Sequence, residues 1–266
     1  MIKLIVTDMD GTFLNSQGSY NKELFQEVIT LMDEKGVKFA PCTGKQCERV
    51  EEILGEHAKD FLILGDSAAR IKYNGEYLYQ SLLDNELGLK IIDRLESLNS
   101  KHLVIACTED GAFIKNNAAP HLQELVRRSY ANVNLLSSYS EIERDFIKIT
   151  VYDEQGNSLY TKPHLSDFFD KAYIVVSEAN WIDISNYGVH KGTTVEKLQD
   201  MLAITYEETM VFGDGLNDIE LMEKGAFSFA MRNGFTETKA AANYIAGHND
   251  DDSVMKTIIQ FLSIQA

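Results

Sequence analysis

Residues 2–12 read Ile2-Lys3-Leu4-Ile5-Val6-Thr7-Asp8-Met9-Asp10-Gly11-Thr12. The apolar, β-branched run over 2–7 predicts a buried strand, and it stops abruptly on two aspartates and a glycine. If that strand lies in a parallel sheet, the two carboxylates stand where such sheets gather their ligands and reacting groups, at the carboxyl ends of the strands.

The flanking sequence supports a parallel sheet. Residues 21–35 place Leu24, Phe25, Val28, Ile29 and Met32 on one helical face, with Gly36 placed to cap the end. Residues 37–40 predict a second strand and 61–64 a third, with a helix over 45–58 between them carried by Cys47, Val50, Ile53, Leu54 and His57. The alternation returns near the other end. Val195, Leu198 and Leu202 mark a helix, 209–212 a strand, 217–224 a short helix and 227–231 a strand. A final helix opens on Asp250-Asp251-Asp252-Ser253, where carboxylates suit the helix dipole and are expected to cap it.

Between these halves the pattern changes. Residues 72–80 predict a hairpin turning at Asn74-Gly75. Then come a helix at 86–98, strands at 102–108 and 112–115 around an Asp110-Gly111 turn, a helix at 120–130, and strands at 145–152, 173–176 and 181–185. The expected architecture is α/β: a doubly wound, mainly parallel, Rossmann-like core from residues 1–81 and 188–266, with an inserted α+β domain over 82–187.

Composition narrows the function. The 266 residues carry 25 Lys and Arg against 41 Asp and Glu, a net charge of −16, which argues against nucleic acid or an anionic membrane as partner. With 44% hydrophobic residues, 17 glycines and three prolines, the chain is of ordinary globular type. The amino-terminal apolar run is too short for a signal peptide, and no apolar stretch is long enough to span a bilayer. Cys42, Cys47 and Cys107 form no CxxC pair and are expected to be reduced, buried thiols in a cytoplasmic protein. None of the six histidines sits in an HExxH pattern, so they read as structural or surface residues.

Four short stretches carry chemistry. In Asp8-Met9-Asp10-Gly11-Thr12, two carboxylates two residues apart can converge, one attacking a phosphorus atom while the other handles the leaving-group proton. The competing readings are a plain aspartate turn and a calcium loop. The latter fails because Phe13 and Ser19 stand where Gly and Glu are required. Thr43-Gly44-Lys45 can hold phosphoryl oxygens at a strand-to-helix turn, or simply cap the helix; it is not a Walker loop, since Gln46 follows the lysine. Lys191, before a helix, can neutralise a transferring phosphoryl group or be an ordinary solvated lysine. Gly213-Asp214-Gly215-Leu216-Asn217-Asp218 offers two carboxylates and an amide suited to Mg²⁺, against a simple turn; Asp218 stands where a dinucleotide fingerprint needs glycine. Gathering Asp8, Asp10, Asp214 and Asp218 without a cation would be costly, and a divalent ion together with Lys191 would offset the repulsion.

In this order, the four stretches resemble the motifs of the haloacid dehalogenase-like hydrolases, specifically the Cof-type phosphatases with a large inserted cap of class IIB. The resemblance spans essentially the whole chain. It implies that Asp8 is the nucleophile that becomes an aspartyl phosphate, and that Asp10 protonates the leaving alcohol and then activates water. It implies Mg²⁺ held by Asp8, the Asp10 backbone carbonyl and Asp214, with Asp218 in support directly or through water. Thr43, Gly44, Lys191, Asn217 and the Met9 backbone would hold the phosphoryl oxygens. The expected substrate is a small phosphorylated metabolite, such as a sugar phosphate. Phosphoryl transfer to a sugar hydroxyl and a non-enzymatic phospho-acceptor switch are the alternatives. Two positions depart from the family. Lys45 replaces the usual Arg, which puts the contact with substrate there in question. Gly65-Asp66-Ser67-Ala68-Ala69 replaces the usual Asn-Gly-Ala stretch after the third strand. Trp181, Tyr152 and Phe113 could line a closed site, although aromatic residues in a cap more often serve its core.

Overall fold

A computed structural model describes residues 1–265. The chain opens with the strand Leu4–Thr7 (β1), the helix Lys22–Lys35 and the strand Lys38–Pro41 (β2). The helix begins at Asn21, whose side chain accepts from the Leu24 N–H at 3.1 Å, and ends on Gly36 in the left-handed region at φ 66°. Its buried face is Phe25, Val28 and Met32. The next helix, Cys47–Leu54, is shorter than the spacing predicts. Gly55, at φ 62° and ψ −134°, breaks it, and a 3-10 segment carries the chain through Asp60.

Three short strands follow: Ile63–Gly65 (β3), Arg70–Tyr73 (β4) and Glu76–Gln80 (β5), paired antiparallel. Asn74 and Gly75 both take positive φ, 49° and 81°, as a two-residue hairpin turn demands. β3 also lies parallel beside the end of β2, where the Thr43 N–H donates to the Leu64 carbonyl at 2.9 Å.

A second sheet occupies the middle of the chain. Its strands are Leu103–Thr108 (β6), Gly111–Lys115 (β7), Val133–Leu136 (β8), Lys148–Tyr152 (β9), Ala172–Glu178 (β10) and Trp181–Asn186 (β11). Their order is β10-β11-β9-β6-β7-β8, antiparallel except for β7 with β8. The helix Asn85–Leu98 packs Ile91, Ile92 and Leu95 into the apolar core on one face of this sheet.

The helix Lys191–Leu202 and the strands Thr209–Gly213 (β12), Phe227–Ala230 (β13) and Tyr244–Ile245 (β14) return the chain to the first sheet. That sheet has the order β14-β13-β12-β1-β2 and is parallel throughout. Thr7 is in register with Phe212 on one side and Pro41 on the other, so β1, β2 and β12 end together. Three stretches far apart in sequence are thereby delivered to one edge. Among the described residues no helix is long and apolar enough to cross a membrane.

The acidic run before the last helix, Ser253–Ile264, does something other than cap it. Asp252 sits at φ 55° and makes no side-chain cap, while its carboxylate accepts from Asn21 Nδ2 at 3.0 Å. Asp250 accepts from the Ser16 N–H at 2.7 Å and from its hydroxyl. The run therefore ties down the loop that follows β1, whose amide and hydroxyl donors outcompete the helix end.

The core beside β1 is aromatic. The Phe25 ring lies 5.0 Å from Phe13, 5.4 Å from Tyr20 and Phe39, and 5.8 Å from Phe61. Replacing Phe25 by Ala is expected to cost about 3–5 kcal/mol, read as a lowered midpoint in chemical denaturation.

Candidate active site

β1 ends by presenting Asp8, whose N–H donates to the Phe212 carbonyl at 2.9 Å. The chain then makes a wide turn over Met9–Phe13 that requires Gly11 at φ 74°. Glycine is needed there twice over, since a Cβ on residue 11 would stand 2.5 Å from Asp214 Oδ2. The Thr12 hydroxyl donates to Asp214 Oδ1 at 2.6 Å, which locks the first motif to the fourth. The Met9 side chain is buried in the core, leaving its backbone to the turn.

Lys191 is the first residue of its helix, with His190 as the capping residue: the His190 ring accepts from the Thr193 N–H at 3.4 Å. The next residue must be Gly192, because a Cβ there would lie 2.6 Å from the Glu220 carbonyl. The buried ammonium of Lys191 donates to Asp8 Oδ1 and Asp218 Oδ1, both at 2.6 Å. Asp218 Oδ2 accepts from the Asp214 N–H at 3.0 Å and the Gly215 N–H at 2.9 Å, so the fourth motif folds around that carboxylate.

Carboxylate oxygens of Asp8, Asp214 and Asp218 lie within 4.8 Å of one another. Three carboxylates and one ammonium sum to −3 + 1 = −2, and the aspartates register the excess. Burial pushes the Asp8 carboxyl well above its usual range, Lys191 opposes the shift, and the neighbouring aspartates add to it. Asp214 is pushed up to about 7 by burial and by Asp218, against the Thr12 hydrogen bond. Burial alone would lower Lys191, but Asp218 and Asp8 outweigh it and hold the ammonium charged. An oxygen-rich, buried and undercompensated donor set of this kind fits a hard divalent cation.

Asp10 stands apart from these three. Its half-exposed carboxylate pairs with Lys45 Nζ at 2.8 Å. Thr43 lies too far ahead of the helix to cap it: Gln46 precedes the helix without a side-chain cap, and the Thr43 hydroxyl accepts from the Lys45 N–H at 3.2 Å instead. The departing stretch after β3 buttresses this loop. Asp66, Ser67 and Ala68 all take positive φ, 56°, 57° and 64°, a conformation that costs about 1–2 kcal/mol per residue. The Asp66 N–H donates to the Lys45 carbonyl at 2.7 Å and the Ser67 N–H to the Thr43 carbonyl at 3.0 Å, which hold it there.

Asp8, Asp10, Thr43, Gly44, Asp214 and Asn217 border one cavity of about 250 Å³. The second sheet forms its opposite wall, and two residues there escaped the motif reading. Lys148 is buried and donates to the Gly44 carbonyl at 2.6 Å and to Ser67 Oγ at 3.2 Å; Asp183 lies beside it. The available signal was a charge flanked on both sides by aliphatic residues, Ile147-Lys148-Ile149 and Ile182-Asp183-Ile184. Trp181 borders the cavity with Tyr152 packed against it at 4.6 Å, whereas Phe113 packs on the apolar core.

The sequence profile of a known family, described as haloacid dehalogenase-like hydrolase, matches residues 5–258. The chain belongs to the haloacid dehalogenase-like hydrolases. It is 27% identical to the 5-amino-6-(5-phospho-D-ribitylamino)uracil phosphatase YbjI of Escherichia coli K12, over 100% of this chain and 98% of that one. The crystal structure of SMU.1108c from Streptococcus mutans UA159 superposes with a TM-score of 0.94 at 28% identity, covering 99% of this chain and 100% of the other. The subclass IIB sugar phosphatase BT4131 superposes at a TM-score of 0.83 and 20% identity over 97% and 98% of the two chains, a likeness of fold. The hydrolase is a phosphatase of the Cof type.

Because residue 11 has no room for a side chain, Gly11→Ala must displace the Asp214 carboxylate. Hydrolysis of p-nitrophenyl phosphate is expected to fall at least about 100-fold, while circular dichroism and gel filtration remain those of the folded wild type.

Proposed function

We propose that the enzyme hydrolyses small phosphomonoesters in a Mg²⁺-dependent reaction through an aspartyl phosphate on Asp8. The observation that carries this reading is the shared lysine: Lys191 holds Asp8 and Asp218 at 2.6 Å each, and Asp8 borders one cavity with Asp10, Thr43, Gly44 and Asp214.

Asp8 attacks the phosphorus, and the bond to the leaving oxygen breaks as Asp10 delivers a proton to that oxygen. Asp10 then takes a proton from water, which attacks the aspartyl phosphate and releases inorganic phosphate and free Asp8. The Thr43 hydroxyl, the Gly44 and Met9 backbone and the Asn217 amide hold the phosphoryl oxygens. Lys191 remains charged throughout and offsets the accumulating negative charge. Asp8, Asp214 and the Asp10 backbone carbonyl would hold the metal, with Asp218 in support. Bound there, Mg²⁺ supplies charge neutralisation and orients the phosphoryl group.

We take residues 1–81 with 188–266 as the hydrolase core and 82–187 as the cap, which excludes water during the first step and selects the leaving group. Relatives include an enzyme named for a phosphorylated ribitylaminouracil and one named HMP-PP phosphatase, which supports a small phosphorylated metabolite as substrate. Three free, buried cysteines suit a reducing cytoplasm.

Asp8→Asn is expected to lower hydrolysis of p-nitrophenyl phosphate by at least about 1,000-fold; wild-type turnover in that variant refutes the nucleophile. Mg²⁺ at 100 times its Kd is expected to stabilise the wild type by about 2.7 kcal/mol. The accompanying rise in Tm disappears in Asp214→Asn.

A further inference from the structure

Apart from the catalytic site, the structure buries an arginine that lacks a close partner among the described residues. Arg70 opens β4 and is 3% exposed. Its Nε stands 3.4 Å from Asp66 Oδ2 and makes no hydrogen bond there. Its guanidinium carbon lies 4.6 Å from the centre of the Tyr77 ring, a contact that steadies the fork. Among the described residues no side-chain or backbone oxygen accepts a hydrogen bond from Nη1 or Nη2. Buried donors of a charged group are costly to leave unpaired.

Arg70 borders a cavity of about 120 Å³ that shares no lining residue with the catalytic one. Gln46, Glu48 and Tyr77 line it from the part of the chain before the second sheet, and Glu109 and Asn132 from the connections within that sheet. Two carboxylates therefore stand around the arginine. Glu109 is committed on both oxygens: Oε1 accepts from Gln80 Nε2 at 2.5 Å and Oε2 from Arg144 Nη1 at 3.2 Å. Glu48 is committed on one. Lys72 Nζ and the Tyr77 hydroxyl both donate to its Oε1, and among the described residues no other residue donates to Oε2. Burial alone would raise the Glu48 carboxyl, but Tyr77 and Lys72 outweigh it and keep the group charged. One cation and one anion with open hydrogen-bonding positions thus border the same small, polar space. A metal ion there would meet Arg70, and inorganic phosphate would meet two carboxylates. A ligand that carries both charges answers both.

We propose that this cavity is a second binding site, separate from the catalytic one, for a small zwitterion: a free α-amino acid with a short side chain. The ligand's carboxylate lies across the Arg70 fork, where charge and planarity match, and its ammonium donates to Glu48 Oε2. The volume sets the limit on the side chain, since about 120 Å³ is the liquid share of roughly four waters. A bound amino acid would also bridge the segment carrying Gln46 and Arg70 to the connections of the second sheet. The inference does not depend on the phosphatase reading.

Equilibrium dialysis against the full-length protein tests this with L-alanine, with propionate, which lacks the ammonium, and with ethylamine, which lacks the carboxylate. L-alanine is expected to bind once per chain and at least about tenfold more tightly than either fragment. Arg70→Lys keeps the charge but loses the fork, and is expected to weaken L-alanine at least about tenfold. In Glu48→Gln, Tyr77 and Lys72 hold the amide oxygen at the Oε1 place, so the NH₂ turns to the cavity and opposes an ammonium. L-alanine should then bind no better than propionate. Lys72 keeps its contact with Glu51 at 2.8 Å in that variant, so Glu48→Gln decides the matter even where Arg70→Lys fails to fold. Asp8→Asn is expected to leave the L-alanine affinity unchanged. No binding of L-alanine at millimolar concentration overturns the inference, as do equal affinities of the wild type for L-alanine and propionate. Binding that Glu48→Gln leaves unchanged, or that Asp8→Asn abolishes, overturns it as well.

Discussion

A buried ammonium shared by two aspartates holds the site together. Lys191 reaches Asp8 from 183 residues away in sequence and Asp218 from 27, both at 2.6 Å. Buried carboxylates need such a partner, and removing one member of a buried pair typically costs about 3–5 kcal/mol. The ion pairs therefore act as a condition on the fold: β1 and β12 must be neighbours, and the helix that begins at Lys191 must start just where their ends meet. The parallel sheet satisfies this through the alignment of Thr7 with Phe212. Even so, the lysine compensates only part of the local charge, and the raised Asp8 and Asp214 mark the remainder that a cation would take up.

The charge cluster is kept small by glycine. Residues 11, 192 and 213 all lie where a Cβ would meet the site or its scaffold within 2.6 Å. On the other side, Lys148 ties the second sheet to the Gly44 carbonyl and to the left-handed turn at Ser67. The loop bearing Thr43 and Gly44 is thus gripped from below by β3 and from above by β9. The overall charge of −16 does not set the potential at this site, because distant charges are screened beyond roughly 8 Å at physiological salt, whereas Lys191, Lys45 and Lys148 act at contact range.

Much of this was legible in the chain. The run ending in Asp8 and the alternation on either side of it predict the parallel sheet, because buried strands and amphipathic helices have distinct periods. The Asn74-Gly75 turn and the Gly36 cap follow from left-handed backbone that few residues tolerate. Other features depend on tertiary partners that no local pattern contains. Asp250 and Asp252 look like helix caps until Ser16 and Asn21 approach them. Thr43 looks like a cap, but the helix starts only at Cys47. Lys148, Thr150 and Asp183 look like a solvated strand face, since alternation shows that one side is polar and does not show what covers it. The strand β14, with two residues, is too short to establish a period.

The central claim is that Asp8 itself carries the phosphoryl group between substrate and water. Acid-quenching the enzyme during turnover of p-nitrophenyl phosphate with Mg²⁺, followed by peptide mass spectrometry, tests it most directly. The account predicts one added phosphoryl unit on the peptide containing Asp8, assigned to that side chain by fragmentation. Continued release of phosphate with the phosphoryl group on another residue, or with no covalent species at any quench time, would contradict it.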